Sequence, residues 1–390
     1  MDDTFIPYGR QSISEADIQA VVDILRSDFL TQGPAVEHFE RSISDYCGVT
    51  YAVAVNSATS ALHIACLAAG LGSGDILWTS PNTFVASANC GLYCGASVDF
   101  VDIDPNTYNM STTALETKLI KARLAGKLPK VLIPVHFAGQ SCDMARIAEL
   151  GREYGFTVIE DASHSIGGKY LVEPIGNCRY SDMTVFSFHP VKIVTTGEGG
   201  MVVTNSKDLH EELVRLRSHG ITRDPALMEG DNNGAWVYQQ VELGFNYRMT
   251  DLQAALGTSQ MNRLDDFVAR RHDVAESYNQ QLSGLPLILP RQNTYAYSAF
   301  HLYVVRIDTA KTGITRRQFF DAMRNAKIGV NVHYIPVHTQ PFYRKMGFSE
   351  GMFPEAESYY EDAISLPMFA SMTEQQQERV IKTVRSLLTK

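Results

Sequence analysis

Residues 184–200 read TVFSFHPVKIVTTGEGG. The stretch opens as a short apolar run of β type over residues 184–188 and leaves it at His189-Pro190. Lys192 follows, and Gly199-Gly200 turn the chain into a further apolar run, MVVTN. Just upstream, VIEDASHSIG (residues 158–167) sets Asp161 at the end of another such run. Working outward, strand-like segments recur at Tyr51–Val55, Ile76–Thr79, 98–101, 131–137 and 157–160. Helical patterns such as ALHIACLAAGL and MARIAELGREYG fall between them. This alternation predicts an α/β fold, a mostly parallel sheet between layers of helices. Ligands of such sheets collect outside the carboxyl ends of the strands. Asp161, Ser187, His189 and Lys192 are therefore expected on one side of the sheet.

The pattern changes near Thr250. From Asp251 to about Leu282 a long helical pattern runs with few breakers, followed by the Pro-rich LPLILPRQN. The expected organisation is a large domain with an N-terminal arm over residues 1–255. A smaller α+β C-terminal domain would take residues 256–390.

Composition narrows the function classes. The 390 residues carry a formal net charge of -9, which argues against a nucleic-acid binder. The start, MDDTFIPYGRQ, is acidic and lacks the apolar core of a signal peptide. No apolar stretch is long enough to span a bilayer, so a cytoplasmic location without membrane contact is expected. Six cysteines stand at 47, 66, 90, 94, 142 and 178, with no C-x-x-C pair, so buried thiols are expected and no metal site. Gly70 to Gly74 precede a strand instead of joining a strand to a helix, which makes them a connecting loop and no dinucleotide fingerprint.

A strand-end carboxylate paired with a lysine suits pyridoxal phosphate (PLP). The lysine amine forms a Schiff base, and the carboxylate keeps the pyridine nitrogen protonated. Burial and neighbouring positive charge would lower the lysine pKa and free its neutral form. The unit Tyr51–Val55, NSATS, helix offers amides at a helix N-terminus, with hydroxyls from Ser57, Thr59 and Ser60, as a phosphate cup. Phe84, in SPNTFVASAN, could stack on a cofactor ring.

The segments NSATSALHIA, TFVASAN, VIEDASHSIG, SFHPVKIVTTGEGGMVVTN, RSHGI and GFNYRMTDLQAALG resemble those of the DegT/DnrJ/EryC1/StrS sugar aminotransferases. The similarity runs from LTQGPAVEHFE to VHYIPVHTQPFY, nearly the whole chain. It implies the aspartate-aminotransferase-like architecture, PLP fold type I. It makes Lys192 the Schiff-base lysine and Asp161 the partner of the pyridine nitrogen. It sets His164 near the cofactor's 3-hydroxyl and makes Phe84 the stacking aromatic. It assigns the phosphate to Ser187 and to the Ala58 and Thr59 amides. Relatives often carry Gly where Ala58 stands. Asn246 matches a phosphate ligand donated by the neighbouring subunit, which implies a homodimer with shared active sites. Tyr8, Thr31, His189 and Tyr334 are the candidates for positioning the substrate.

Within the family, LTQGP, NSATSAL, SHSIG, SFHPVK, RSHGI and HLY are similar to the transaminases of pseudaminic acid biosynthesis. That similarity implies a UDP-linked 4-keto-6-deoxy-N-acetylhexosamine as acceptor and L-glutamate as donor, with PLP and PMP alternating. A 3- or 4-aminotransferase for a dTDP- or GDP-linked sugar remains an alternative. A PLP-dependent sugar dehydratase would carry His where Lys192 stands. A non-catalytic nucleotide-sugar binder would show damage to the cofactor residues, and none is visible.

Overall fold

The computed structural model describes residues 4–230 and 234–389. Nine strands precede residue 205: β1 (Tyr51–Val55), β2 (Ile76–Thr79), β3 (Ser97–Phe100), β4 (Val131–Ile133), β5 (Thr157–Asp161), β6 (Lys169–Tyr170), β7 (Glu173–Pro174), β8 (Met183–Ser187) and β9 (Gly200–Thr204). Seven of them form one sheet in the order β1-β9-β8-β5-β4-β2-β3. All pairings from β3 across to β8 are parallel, and β9 runs antiparallel to both β8 and β1. Every residue of β8 and β9 is buried, as a sheet covered on both faces requires. Apolar side chains of the two faces feed separate clusters, one around Val53, Ile133 and Val185, the other around Phe39, Phe186 and Met201.

Four helices of the first hundred residues matter for the site: α1 (Glu15–Leu25), α2 (Pro34–Cys47), α3 (Ala58–Ala68) and α4 (Ala86–Tyr93). Ser57 caps α3 by accepting from the Ser60 N–H. The α2 N-terminus is capped from far away. Buried Asp251 accepts from the Gly33 and Ala35 N–H groups at 2.9 and 3.0 Å.

Two sequence expectations shift. The strand expected over 131–137 ends at Ile133, because Pro134 has no N–H for the ladder. The long helix expected from Asp251 is two helices, Asp251–Met261 and Leu264–Leu282, broken at Asn262-Arg263. No Gly or Pro marks the break. There Arg263 turns to pair with Asp17 of α1, while Gln260 holds the Ser12 carbonyl at 2.9 Å.

Beyond the second of these helices, strands Leu287–Ile288, Tyr303–Ile307 and Ala363–Leu366 form a separate three-stranded antiparallel sheet. The N-terminal arm is bound to this part of the chain. Ile6 bridges Ile328, and the Tyr8 carbonyl accepts from the Met368 N–H at 2.9 Å. All six cysteines are free thiols, and all but Cys94 are buried. Among the described residues no helix is long and apolar enough to cross a membrane.

Candidate active site

A cavity of about 440 Å³ opens at the carboxyl ends of β5 and β8. Asp161 ends β5 and is buried in the cavity wall. Its Oδ2 accepts from the Ser87 hydroxyl at 2.6 Å, and its Oδ1 from the Ser163 N–H at 3.1 Å. Ser87 comes from α4 and its oxygen lies 2.8 Å from the Thr83 hydroxyl. Since the Ser87 proton goes to Asp161, Thr83 donates to Ser87. The carboxylate is thus held from both oxygens and still faces the cavity.

Lys192 sits in the loop between β8 and β9. The loop is closed on itself: the Phe188 N–H donates to the Gly199 carbonyl at 2.9 Å and Thr196 N–H to the Phe188 carbonyl at 3.0 Å. Buried Ile193 and Val194 anchor it in the core, so the neighbouring lysine is directed into the cavity. Burial pushes the Lys192 amine down to about 8, and Asp161 opposes the shift. Of the two causes expected from sequence, burial alone lowers it.

At another corner stand the first turn of α3 and Gly200. A Cβ on Gly200 would lie 2.6 Å from the Ala58 nitrogen and from the Ser57 carbonyl, so only glycine lets β9 approach this turn. The hydroxyls expected to serve as ligands are partly committed. Ser57 Oγ caps the helix, and Ser60 Oγ donates to Asn56 at 2.7 Å. The amides of Ala58 and Thr59, the Thr59 hydroxyl and Ser187 remain as the donors lining this end. Phe84 lines the cavity yet is 58 % exposed, an aromatic face left open.

The opposite wall joins residues 301 and 331–334 of the C-terminal third to His164. His164 is buried, and its Nδ1 accepts from the Ala138 N–H at 3.3 Å while its Nε2 lies 3.1 Å from the Tyr334 hydroxyl. Burial, then Lys192 and His333, push its imidazole well below the ordinary range. His333 meets Ser365 at 2.7 Å and Asn331 at 3.3 Å, and burial with Lys192 brings it down to about 3. Tyr8 reaches this wall from the N-terminal arm, 5.5 Å from the His333 ring.

Sequence reading missed Ser87, His301 and Asn331. Ser87 carries no signal beyond lying three residues after Phe84. His301 stands in the quoted HLY segment; its ring lies 4.4 Å from His164, and its Nδ1 is buried without a partner among the described residues. Arg271 fixes it from behind, donating to the Phe300, His301 and Met368 carbonyls at 3.1, 3.2 and 3.3 Å. Gly139 lets this segment close in, since a Cβ there would meet the Phe300 nitrogen at 2.7 Å.

Ten of the sequence candidates line this one cavity: Tyr8, Ala58, Thr59, Phe84, Asp161, His164, Ser187, His189, Lys192 and Tyr334. Thr31 and Asn246 do not. Both are exposed and sit in bridges elsewhere, Thr31 with Thr250 and Asn246 with Ser218.

The DegT/DnrJ/EryC1/StrS aminotransferase family model matches residues 11–385. The spore coat polysaccharide biosynthesis protein SpsC of Bacillus subtilis is 39 % identical over 387 residues, 98 % of this chain and 97 % of SpsC. The UDP-4-amino-4,6-dideoxy-N-acetyl-beta-L-altrosamine transaminase of Campylobacter jejuni is 35 % identical over 386 residues, 99 % of this chain and 98 % of that protein. Among solved structures, the PMP form of Spr1654 from Streptococcus pneumoniae, described as a sugar aminotransferase, superposes with a TM-score of 0.89 at 30 % identity and covers 98 % of both chains. The donor set of the cavity fits PLP: a carboxylate for a ring nitrogen, a depressed lysine, an open aromatic face and a glycine-lined amide turn. The chain therefore belongs to the DegT/DnrJ/EryC1/StrS family and is a PLP-dependent sugar aminotransferase.

Proposed function

We propose that the protein transfers an amino group from L-glutamate to a UDP-linked 4-keto-6-deoxy-N-acetylhexosamine, in pseudaminic acid-type surface glycan biosynthesis. The observation that carries the chemistry is the meeting of Asp161, Lys192 and His164 with the α3 turn in one cavity. Bound PLP supplies an electron sink and a carrier for the amino group. Lys192 is the covalent attachment point, and its Nζ, kept low by burial, moves a proton to and from the reacting carbon. Asp161 keeps a proton on the ring nitrogen, and Ser87 and Ser163 hold it there. His164 stands beside the ring oxygen and acts on that corner through Tyr334, whose hydroxyl lies 3.1 Å from its Nε2, and Phe84 covers the ring face. Ser187 and the Ala58 and Thr59 amides take the phosphate, which the positive end of a helix favours.

The active unit in this reading is a homodimer, with Asn246 of the partner subunit completing the phosphate site. Exposure of Asn246 outside its own chain's cavity supports that division. Tyr8, His189 and Tyr334 position the sugar; Thr31, outside the cavity of its own chain, is left out of this set. The division into residues 1–255 and 256–390 belongs to the same reading.

Similarity to the C. jejuni transaminase supports the choice of sugar. The higher identity to SpsC favours a second reading, a different nucleotide-linked keto-sugar destined for a surface polysaccharide. Shared PLP chemistry does not separate the two; placement of the keto carbon does. The test supplies glutamate with the UDP-linked 4-keto N-acetyl sugar and, separately, with dTDP-linked 3-keto and 4-keto sugars lacking the acetamido group. Amination of the UDP sugar at C4 is expected. Preference for a dTDP sugar, or amination at C3, rejects the substrate and leaves the aminotransferase standing.

A further inference from the structure

The hydrogen bonds that join Ala138, His164 and Tyr334 run in one direction. The Ala138 N–H can only donate, so His164 Nδ1 presents a lone pair to it at 3.3 Å. Burial, Lys192 and His333 keep the imidazole neutral. A neutral imidazole with a bare Nδ1 carries its proton on Nε2. Nε2 is 3.1 Å from the Tyr334 oxygen, so the imidazole donates and the phenol oxygen accepts. The Tyr334 proton is left over. Burial, with Asp161 and Tyr8 nearby, raises the phenol above its ordinary range, so that proton stays on. Among the described residues no acceptor takes it. The ring is flanked by Phe84 and Phe137, with ring centroids 6.4 and 6.2 Å away, and lies at 21° to the His164 ring.

We propose that Tyr334 is a one-way hydrogen-bond donor into the cavity, aimed by the Ala138–His164 pair at an acceptor oxygen of the bound ligands. Two oxygens have that chemistry, the ring oxygen of the cofactor and the carbonyl oxygen of the keto-sugar; the second rests on the proposed function above. The donor discriminates by direction. A carbonyl oxygen has lone pairs to accept, whereas the ammonium that replaces it has none, so the site holds ketone better than aminated sugar.

Two measurements test this. The first is a side-chain nitrogen NMR spectrum of the holoenzyme with labelled histidine, the His164 signal being assigned by its loss in His164→Asn. At about pH 7 it should show the proton on Nε2 alone. A proton on Nδ1, or on both nitrogens, overturns the proposal without reference to any sugar. The second is Tyr334→Phe, which keeps the ring and removes the donor. A cofactor oxygen as acceptor predicts a shifted pH midpoint of the visible band with no sugar present. A sugar oxygen as acceptor predicts an unmoved band and roughly tenfold slower amination of the keto-sugar, with KM or kcat carrying the loss. If neither changes, Tyr334 is not the donor. If no keto-sugar reacts even with wild type, the proposed function fails, while the NMR result still decides the polarity of the chain.

Discussion

The two walls of the cavity are built differently. One stands on strand ends and a helix cap: Asp161 closes β5, Ser187 closes β8, and Ala58 opens α3. The other hangs from segments with little regular structure, residues 299–302 and 331–336, held by scattered long-range contacts such as Arg271 on the His301 carbonyl, the Leu302 N–H on the Ala138 carbonyl, the Tyr359 hydroxyl on the His333 carbonyl and the bridge of Asn331 to Ser365. Groups on the first wall inherit their positions from the sheet. Groups on the second wall are placed by buried imidazoles, aromatic contacts and carbonyls gripped by one arginine. In the proposed function the first wall carries the chemistry shared by the family. The second is free to differ between enzymes without disturbing the sheet, and it is where choice of ketone is expected to reside.

The largest effect should come from the first wall. Lys192→Ala removes both the attachment point and a proton-moving group, so transamination should fall by at least about 10⁴-fold in a steady-state assay. Normal turnover would reject the assignment. Asp161→Ala should cost on the order of 10²–10³-fold while the protein still folds, as circular dichroism would check. An unchanged rate would mean that another group serves the ring nitrogen.

A complementation experiment asks whether one chain is enough. Inactive Lys192→Ala and inactive Asn246→Ala chains, mixed and allowed to exchange, should regain activity, because one hybrid site holds both native residues. A fully active monomer in sedimentation would break this. Ser87→Ala should then cost roughly tenfold, since it loosens Asp161 without removing it.

The pH predictions follow from burial. Lys192 is neutral above about 8, so the rate at which apoprotein takes up PLP should climb with pH and level off there. A plateau only near the ordinary lysine range would contradict the burial. On the second wall, His333 folds as a neutral group near 3, below its unfolded value of about 6.5. Its contribution is complete above that value and is lost as pH falls toward 3. His333→Asn should therefore lose less stability than wild type between about pH 7 and pH 5 in urea unfolding. Equal losses would remove His333 from the acid response.

The same contrast explains what the sequence disclosed. β1, β2, β5 and β8 were legible because strands buried on both faces read as short apolar runs, and the ends of β5 and β8 with the loop after β8 gave Asp161, Ser187 and Lys192 together. The turn proposed to hold the phosphate was legible as a strand, a Ser/Thr cluster and a helix, although the cap itself uses Ser57 and Ser60. His301, Asn331 and Ser87 were not legible. Each is ordinary in its local sequence and becomes part of the site only through contacts across long separations. The break at Asn262-Arg263 was hidden for the same reason, since it is caused by Asp17, far away in the chain.

The proposed function stands or falls on whether Lys192, in the loop after β8, carries PLP. Borohydride reduction of the purified yellow protein, followed by proteolysis and mass spectrometry, tests it most directly. A pyridoxyl-phosphate mass is expected on the peptide containing Lys192 and on no other. A label on another lysine, or a yellow protein with no label fixed by reduction, would contradict it.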